Sequence, residues 1–175
     1  VTDCSAWLLL GSNIEPEHNL RRAVDLLAVR TTVAAVSSVW QSPPADGSDQ
    51  PDYLNAAVEI RTPLSPEDLW AALIAPIEQE LGRRRTADKS APRTIDIDLM
   101  LYDDRVGEYS GRRLPHPDVL QRAYAALPLA EIAPEKIHPT SGQSLREIAS
   151  RWKGAAIRRR EDLELTPRKN RRDAG

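Results

Sequence analysis

The feature that most restricts the fold is an ordering: strand-like and helix-like stretches follow one another as β-α-β, loop, β-α-β. AWLLL (6–10) is a short apolar run ended by Gly11-Ser12-Asn13. From Pro16, Leu20, Val24 and Leu27 recur at helical spacing with Ala23 beside them, which predicts a helix with one apolar face. TVAAVSSVWQ (32–41) is rich in β-branched residues and predicts a second strand. SPPADGSDQPD (42–52) cannot sit inside a sheet, and YLNAAVEIR (53–61) resumes as a strand.

Ser65 then serves as an N-cap, Pro66 as the first helical residue, and Glu67 and Asp68 suit the first turn. Leu69, Leu73, Ile77 and Leu81 form this helix's apolar line, with Gly82 as its stop and Pro76 predicting a kink or restart. The last strand, in APRTIDIDLMLY (91–102), alternates Ile95, Ile97, Leu99 and Leu101 with Thr94, Asp96, Asp98 and Met100. This order predicts an α+β, ferredoxin-like βαββαβ sandwich, whose antiparallel sheet packs helices on one face and leaves the other open. Extra C-terminal helices are expected in LPHPDVLQRAYAALPLAEIAP and, amphipathically, at 144–153.

The chain has 175 residues, which suits one domain; we read residues 1–157 as that domain and 158–175 as a loosely held basic tail. The tail carries seven basic and four acidic residues; with a whole-chain charge of -2, the body is therefore at about -5. An acidic body argues against a generic nucleic-acid binder. Cys4 is the single cysteine, so no intramolecular disulfide or cysteine-based zinc site is expected. AWLLL is too short for a signal-peptide core or a membrane span, and a cytoplasmic setting is expected.

Two carboxylates do not belong side by side on an ordinary strand, because like charges repel and acids are poor strand formers. Asp96 and Asp98 share a face about 7 Å apart along the backbone, so both can converge on hard cations such as Mg²⁺. The alternative is a pair of solvated acids, but these sit inside an apolar run just after Arg93. The loop GRRRTADKSAPR (82–93) supplies Arg83, Arg84, Arg85, Lys89 and Arg93, groups suited to phosphate oxygens. Acids for a metal beside bases for phosphates describe a metal–polyphosphate substrate.

Tyr53 and Asn55 share a strand face, where a ring and a carboxamide can hold a flat heterocycle; a buried tyrosine beside a turn asparagine is the plainer reading. His116 lies between two prolines and can donate to phosphate, or serve only its loop. His18 and His138 have no metal-ligand spacing and are placed at the surface. Gly11-Ser12-Asn13 is a weak anion-loop signal. Neither G-x-x-x-x-G-K-[ST] nor G-x-G-x-x-G occurs, so ATP, if bound, uses neither a P-loop nor a Rossmann turn.

GSN (11–13), SPP (42–44), DQPDYLNAAV (49–58), IEQELGRRR (77–85), APRTIDIDLM (91–100), LPHPD (114–118) and LPLAEIAP (127–134) together resemble the 6-hydroxymethyl-7,8-dihydropterin pyrophosphokinases of folate biosynthesis. The resemblance implies a ferredoxin-like fold and transfer of the terminal pyrophosphoryl unit of ATP to the pterin hydroxymethyl oxygen, releasing AMP. It implies Asp96 and Asp98 as ligands of two Mg²⁺ ions, with ATP as co-substrate. Glu78, Arg85, Arg93, His116 and Arg122 resemble the ATP-binding set, and Arg83 and Arg93 join the two aspartates as catalytic residues. Ser42, Pro43, Ala45, Tyr53, Asn55 and Tyr124 resemble the pterin site.

The chain departs from the family at Ser90, where a bulky aromatic is common, at Pro117, often aromatic in relatives, and at Tyr124, where phenylalanine is frequent. Expected partners are small molecules only, with no nucleic acid, no membrane and a monomeric state. The competing readings are another ferredoxin-like two-metal nucleotidyl transferase and an RNA-binding module. The first leaves Tyr53, Asn55 and the Pro-Pro loop without a task. The second calls for exposed aromatics on the sheet and a basic body.

Overall fold

The computed structural model describes residues 3–84, 86–88 and 91–168. β1 (Cys4–Ser12) leads into α1 (Pro16–Arg30), which opens on Pro16 and buries Leu20, Ala23, Val24 and Leu27 as their spacing predicts. The single strand expected over 32–41 is two, β2 (Thr32–Val36) and β3 (Val39–Ser42). The break falls where side chains compete with the ladder. Ser37 Oγ accepts the Ala57 N–H at 2.8 Å, and Ser38 donates its N–H and its hydroxyl to Glu131.

After β4 (Tyr53–Thr62) comes α2 (Pro66–Leu69), with Ser65 Oγ accepting the Asp68 N–H at 3.2 Å as its cap. Then follow a π turn (Trp70–Ile74) and α3 (Ala75–Glu80). The irregularity expected at Pro76 is met by this widened turn: Pro76 has no N–H to give, and the Ala75 N–H reaches back to the Trp70 carbonyl. β5 (Asp96–Tyr102) is followed by a hairpin of β6 (Gly107–Tyr109) and β7 (Arg112–Leu114). The remaining elements are α4 (Asp118–Gln121), α5 (Ala123–Ile132), α6 (Leu145–Ser150), started by a Ser144/Glu147 capping box, and β8 (Arg158–Arg160).

The sheet runs β5-β1-β4-β3-β8 with β2 also on β4, every pairing antiparallel, which is the ferredoxin-like order extended at one edge. One face carries the main core: Leu8, Leu10, Leu54, Val58, Ile60 and Ile97 meet Leu20, Leu27, Leu69 and Ile77 from the helices. The other face, expected to be open, is covered at one end by α5 and α6. There Trp7, Leu9, Ala57, Met100 and Leu101 pack against Ala125, Leu129, Leu145 and Ile148.

A bulge in β5 makes that second core possible. Trp7 pairs with Leu101 but Leu8 pairs with Leu99, so Met100 is the extra residue. The alternation that puts Ile97 and Leu99 toward the main core therefore breaks, and Leu101 turns to the opposite face with Met100. What α5 and α6 leave uncovered is the far end of this face, where Gly11, Asn55, Asp96 and Asp98 lie.

Among the described residues, those after 157 pack onto the rest of the chain. β8 pairs with β3, Leu163 and Leu165 are buried in the main core, and the Arg168 N–H donates to Asp25 at 3.0 Å; residues 169–175 lie outside the described residues. His138, expected at the surface, is buried, its Nδ1 accepting the Ser141 N–H at 3.2 Å. His18 is exposed. Among the described residues, no helix is long and apolar enough to cross a membrane.

Candidate functional site: two adjoining clefts over one pair of carboxylates

The uncovered end of the sheet is the floor of a cleft of about 410 Å³. β1 contributes Gly11, β3 and its following loop Ser42, Pro43, Pro44 and Ala45, β4 Tyr53 and Asn55, β5 Asp96 and Asp98, and α5 Tyr124. Asn55 is buried, and its Nδ2 donates to Ser42 Oγ at 3.0 Å. That bond fixes the carboxamide, so Oδ1 has a settled direction in which to accept. Gly11 leaves the space: a Cβ built there would stand 3.1 Å from Asn55 Oδ1, a tight contact that would require the carboxamide to give by a few tenths of an ångström. Burial raises the pKa of Tyr53, so its ring carries a neutral phenol.

A second cleft of about 360 Å³ adjoins the first and shares Arg83, Asp96, Asp98, His116 and Asp118 with it. It adds Trp70, Glu78, Ile97, Leu99, Arg112 and Arg113, and the Arg112 guanidinium stacks 3.8 Å from the Trp70 ring centroid. The strand acids therefore stand on the wall between two compartments, one lined by a carboxamide and rings, the other by basic and apolar groups.

The carboxylates differ in company. Asp96 is held by Arg83 at 2.5 Å on one oxygen and by Arg93 on the other. Arg83 also pairs with Glu78, a buried acid that accepts the Ile97 N–H at 2.9 Å and so pins the helix end to β5. Asp98 has its carboxyl pushed up to about 7, first by burial, then by the charges of Asp96 and Glu78. Among the described residues no group of three or more His, Cys, Asp or Glu side chains forms a metal cage. The donor set nevertheless fits Mg²⁺, which takes one or two carboxylates and keeps its other positions for water and phosphate. A cation at Asp98 would relieve the charge crowding that raises its pKa.

His116 Nδ1 accepts the Asp118 N–H at 3.2 Å, and burial lowers the pKa of the ring. The neutral imidazole thus carries its proton on Nε2, a donor for an anionic oxygen. Arg122 is exposed between α4 and α5 and lines neither cleft. Arg85, Lys89 and Ser90 lie outside the described residues. Arg84 also lines neither cleft, whereas Ser42, Pro43, Ala45, Tyr53, Asn55, Glu78, Arg83, Arg93, Asp96, Asp98, His116 and Tyr124 each line one or both.

Asn13, legible in the sequence only as part of a weak anion-loop signal, has a tying role that the fold reveals. Its Nδ2 donates to Gln50 Oε1 at 3.0 Å, its Oδ1 accepts the Arg93 N–H at 2.8 Å, and its N–H reaches the Arg93 carbonyl. One buried carboxamide thereby ties the 42–52 loop to the segment that delivers Arg93. Glycine and serine beside it suggested an anion loop, and nothing local identifies two partners 37 and 80 positions away. Asp118 was missed for the same reason, since only the fold brings it to both clefts.

The model of the family described as 7,8-dihydro-6-hydroxymethylpterin-pyrophosphokinase (HPPK) matches residues 7–134. The chain is 41% identical over 141 residues to the 2-amino-4-hydroxy-6-hydroxymethyldihydropteridine pyrophosphokinase of Synechocystis sp., covering 79% of this chain and 71% of that one. The Bacillus subtilis protein of the same name is 40% identical over 152 residues, covering 85% and 90% respectively. The crystal structure of Plasmodium falciparum HPPK-DHPS wild type has a TM-score of 0.65 at 13% identity, a likeness of fold. The alignment takes in 90% of this chain and 48% of that longer one.

Proposed function

The chain belongs to the 7,8-dihydro-6-hydroxymethylpterin-pyrophosphokinase family, and from that premise we propose how its two clefts divide the substrates. The enzyme transfers a diphosphoryl group from ATP to the hydroxymethyl group of 6-hydroxymethyl-7,8-dihydropterin in folate biosynthesis. The observation that carries the assignment of residues is the position of Asp96 and Asp98 on the wall common to both clefts. Attack on the β-phosphorus needs the hydroxyl on one side and the AMP oxygen on the other, in line.

The pterin takes the first cleft. Asn55 Oδ1 accepts from an N–H of the heterocycle, Tyr53 and Tyr124 flank its ring, and Ser42, Pro43 and Ala45 close the pocket edge. ATP takes the second cleft. His116 donates from Nε2 to a phosphate oxygen, Glu78 sets the floor and Arg83 supplies positive charge; by resemblance Arg85, Arg93 and Arg122 complete the ATP-binding set, with Arg93 reaching in from the first cleft. Asp96 and Asp98 would hold Mg²⁺, two ions by resemblance, which when bound would supply charge neutralisation for the triphosphate and a more acidic pterin hydroxyl. Arg83 and Arg93, now on the two Asp96 oxygens, are within reach of the same site and would supply positive charge to phosphate oxygens placed there.

We take the protein to be a cytoplasmic monomer acting on small molecules alone. The test of the assignment is turnover of ATP and hydroxymethyldihydropterin with Mg²⁺, with products resolved. AMP equimolar with pterin diphosphate is expected, and Asp98→Ala should abolish it with the fold intact. Near-wild-type turnover in that variant would remove the metal assignment. ADP, cyclic nucleotide or free pyrophosphate as the product would count against the two-cleft arrangement.

A further inference from the structure

Asp118 has no task in that division, yet it lines both clefts. Its carboxylate Oδ2 accepts the Tyr124 hydroxyl at 2.7 Å, while its backbone N–H donates to His116 Nδ1 at 3.2 Å. A third acid beside Asp96 and Asp98 is a liability where a triphosphate must sit, and its charge adds to those that raise the pKa of Asp98. Helix capping does not account for it: α4 is four residues long, and the carboxylate is bonded to a side chain six positions on. Burial, and then the bond to Asp118, keep the Tyr124 hydroxyl protonated, so it is a standing donor. A phenylalanine at this position could not make the bond.

We propose that Asp118 is a positioning residue that locks the Tyr124 ring against the pterin cleft, from the same turn that fixes the His116 tautomer on the nucleotide side. The side chain acts on the pterin and the backbone amide on the nucleotide. One residue thereby sets the two clefts in register. This rests on the assignment of Tyr124 to pterin and His116 to ATP.

The division between side chain and backbone makes the proposal testable. Asp118→Ala, Asp118→Asn, Tyr124→Phe and the Ala/Phe double variant are titrated with hydroxymethyldihydropterin. Separately they are titrated with an ATP analogue whose α and β phosphorus atoms are joined by a methylene group. Asp118→Ala and Tyr124→Phe are each expected to weaken pterin binding by about five- to tenfold, the scale of one lost charge-assisted hydrogen bond acting through a ring. The double variant should be no worse than the weaker single one, because both remove the same bond. Asp118→Asn, which keeps an acceptor, should restore most of the affinity, and analogue binding should stay within about twofold throughout.

Additive losses, or unchanged pterin binding in folded Asp118→Ala, would overturn the proposal, as would lowered thermal stability with pterin affinity intact. If Asp118→Ala does not fold, Tyr124→Phe and Asp118→Asn still carry the comparison. Failure of the underlying assignment looks different: the wild-type protein itself would not bind the pterin.

Discussion

Replacing Asp98 with asparagine is expected to stabilise the protein while destroying its activity. In the native structure the carboxyl ionises near 7 instead of its ordinary 3.8, with burial as the main cause and Asp96 and Glu78 as the next. Between those values the folded chain holds a proton that the unfolded chain has released. Stability therefore falls as pH rises from about 4 to about 7, and the penalty is fully present above that. A shift of this size corresponds to at most about 4 kcal/mol; water reaching the side chain from the cleft mouth screens part of it, leaving about 2 kcal/mol.

Asparagine never ionises and escapes the penalty. For a chain of this length 2 kcal/mol is about 4–8 °C in Tm. The assay is thermal denaturation of wild type and Asp98→Asn in chelator without nucleotide, at pH 5 and pH 8.5. The variant is expected to melt higher at both values, by clearly more at pH 8.5 than at pH 5, where only part of the penalty has developed. A Tm difference that does not change with pH would refute the claim that Asp98 is an ionised, crowded group at neutral pH. Magnesium with nucleotide should close the gap for the wild type and leave the variant unmoved.

Asn55→Ala should weaken pterin binding far more than ATP binding, each titrated separately, since Asn55 lines only the first cleft. Gly11→Ala should do the same more mildly, by several-fold in pterin affinity: the new Cβ presses on Asn55 Oδ1, which its bond to Ser42 keeps from yielding freely. Ending the chain at Ile157 removes β8 and the buried Leu163 and Leu165. At roughly 1.5–3 kcal/mol per buried leucine it should cost about 3–6 kcal/mol, read as a fall in the denaturation midpoint. An unchanged midpoint would restore the reading of this segment as a loose tail.

What local chemistry dictates was legible in the residues. Apolar spacing marked α1 and the helical run after Ser65, and period-2 alternation put Asp96 with Asp98, and Tyr53 with Asn55, on common faces. The strand–helix order then left few topologies, and acids that are poor strand formers pointed to a cation. The family motifs gathered these residues into a site before any contact was known.

Other properties depend on partners far along the chain, and no window of sequence contains them. The bulge at Met100 exists because β5 must satisfy two cores at once; its alternation alone put Leu101 on the wrong face. DLEL (162–165) looks like part of a charged tail until β8 docks on β3 and draws Leu163 and Leu165 inward. Asn13 and Asp118 carry ordinary loop chemistry, and only their hydrogen bonds across the fold reveal what they hold. Alternation settled which way each aspartate points, because pleat geometry is local. Whether that face meets solvent, a helix or a substrate was decided by α5 and α6, which cover the apolar end and leave the charged end open.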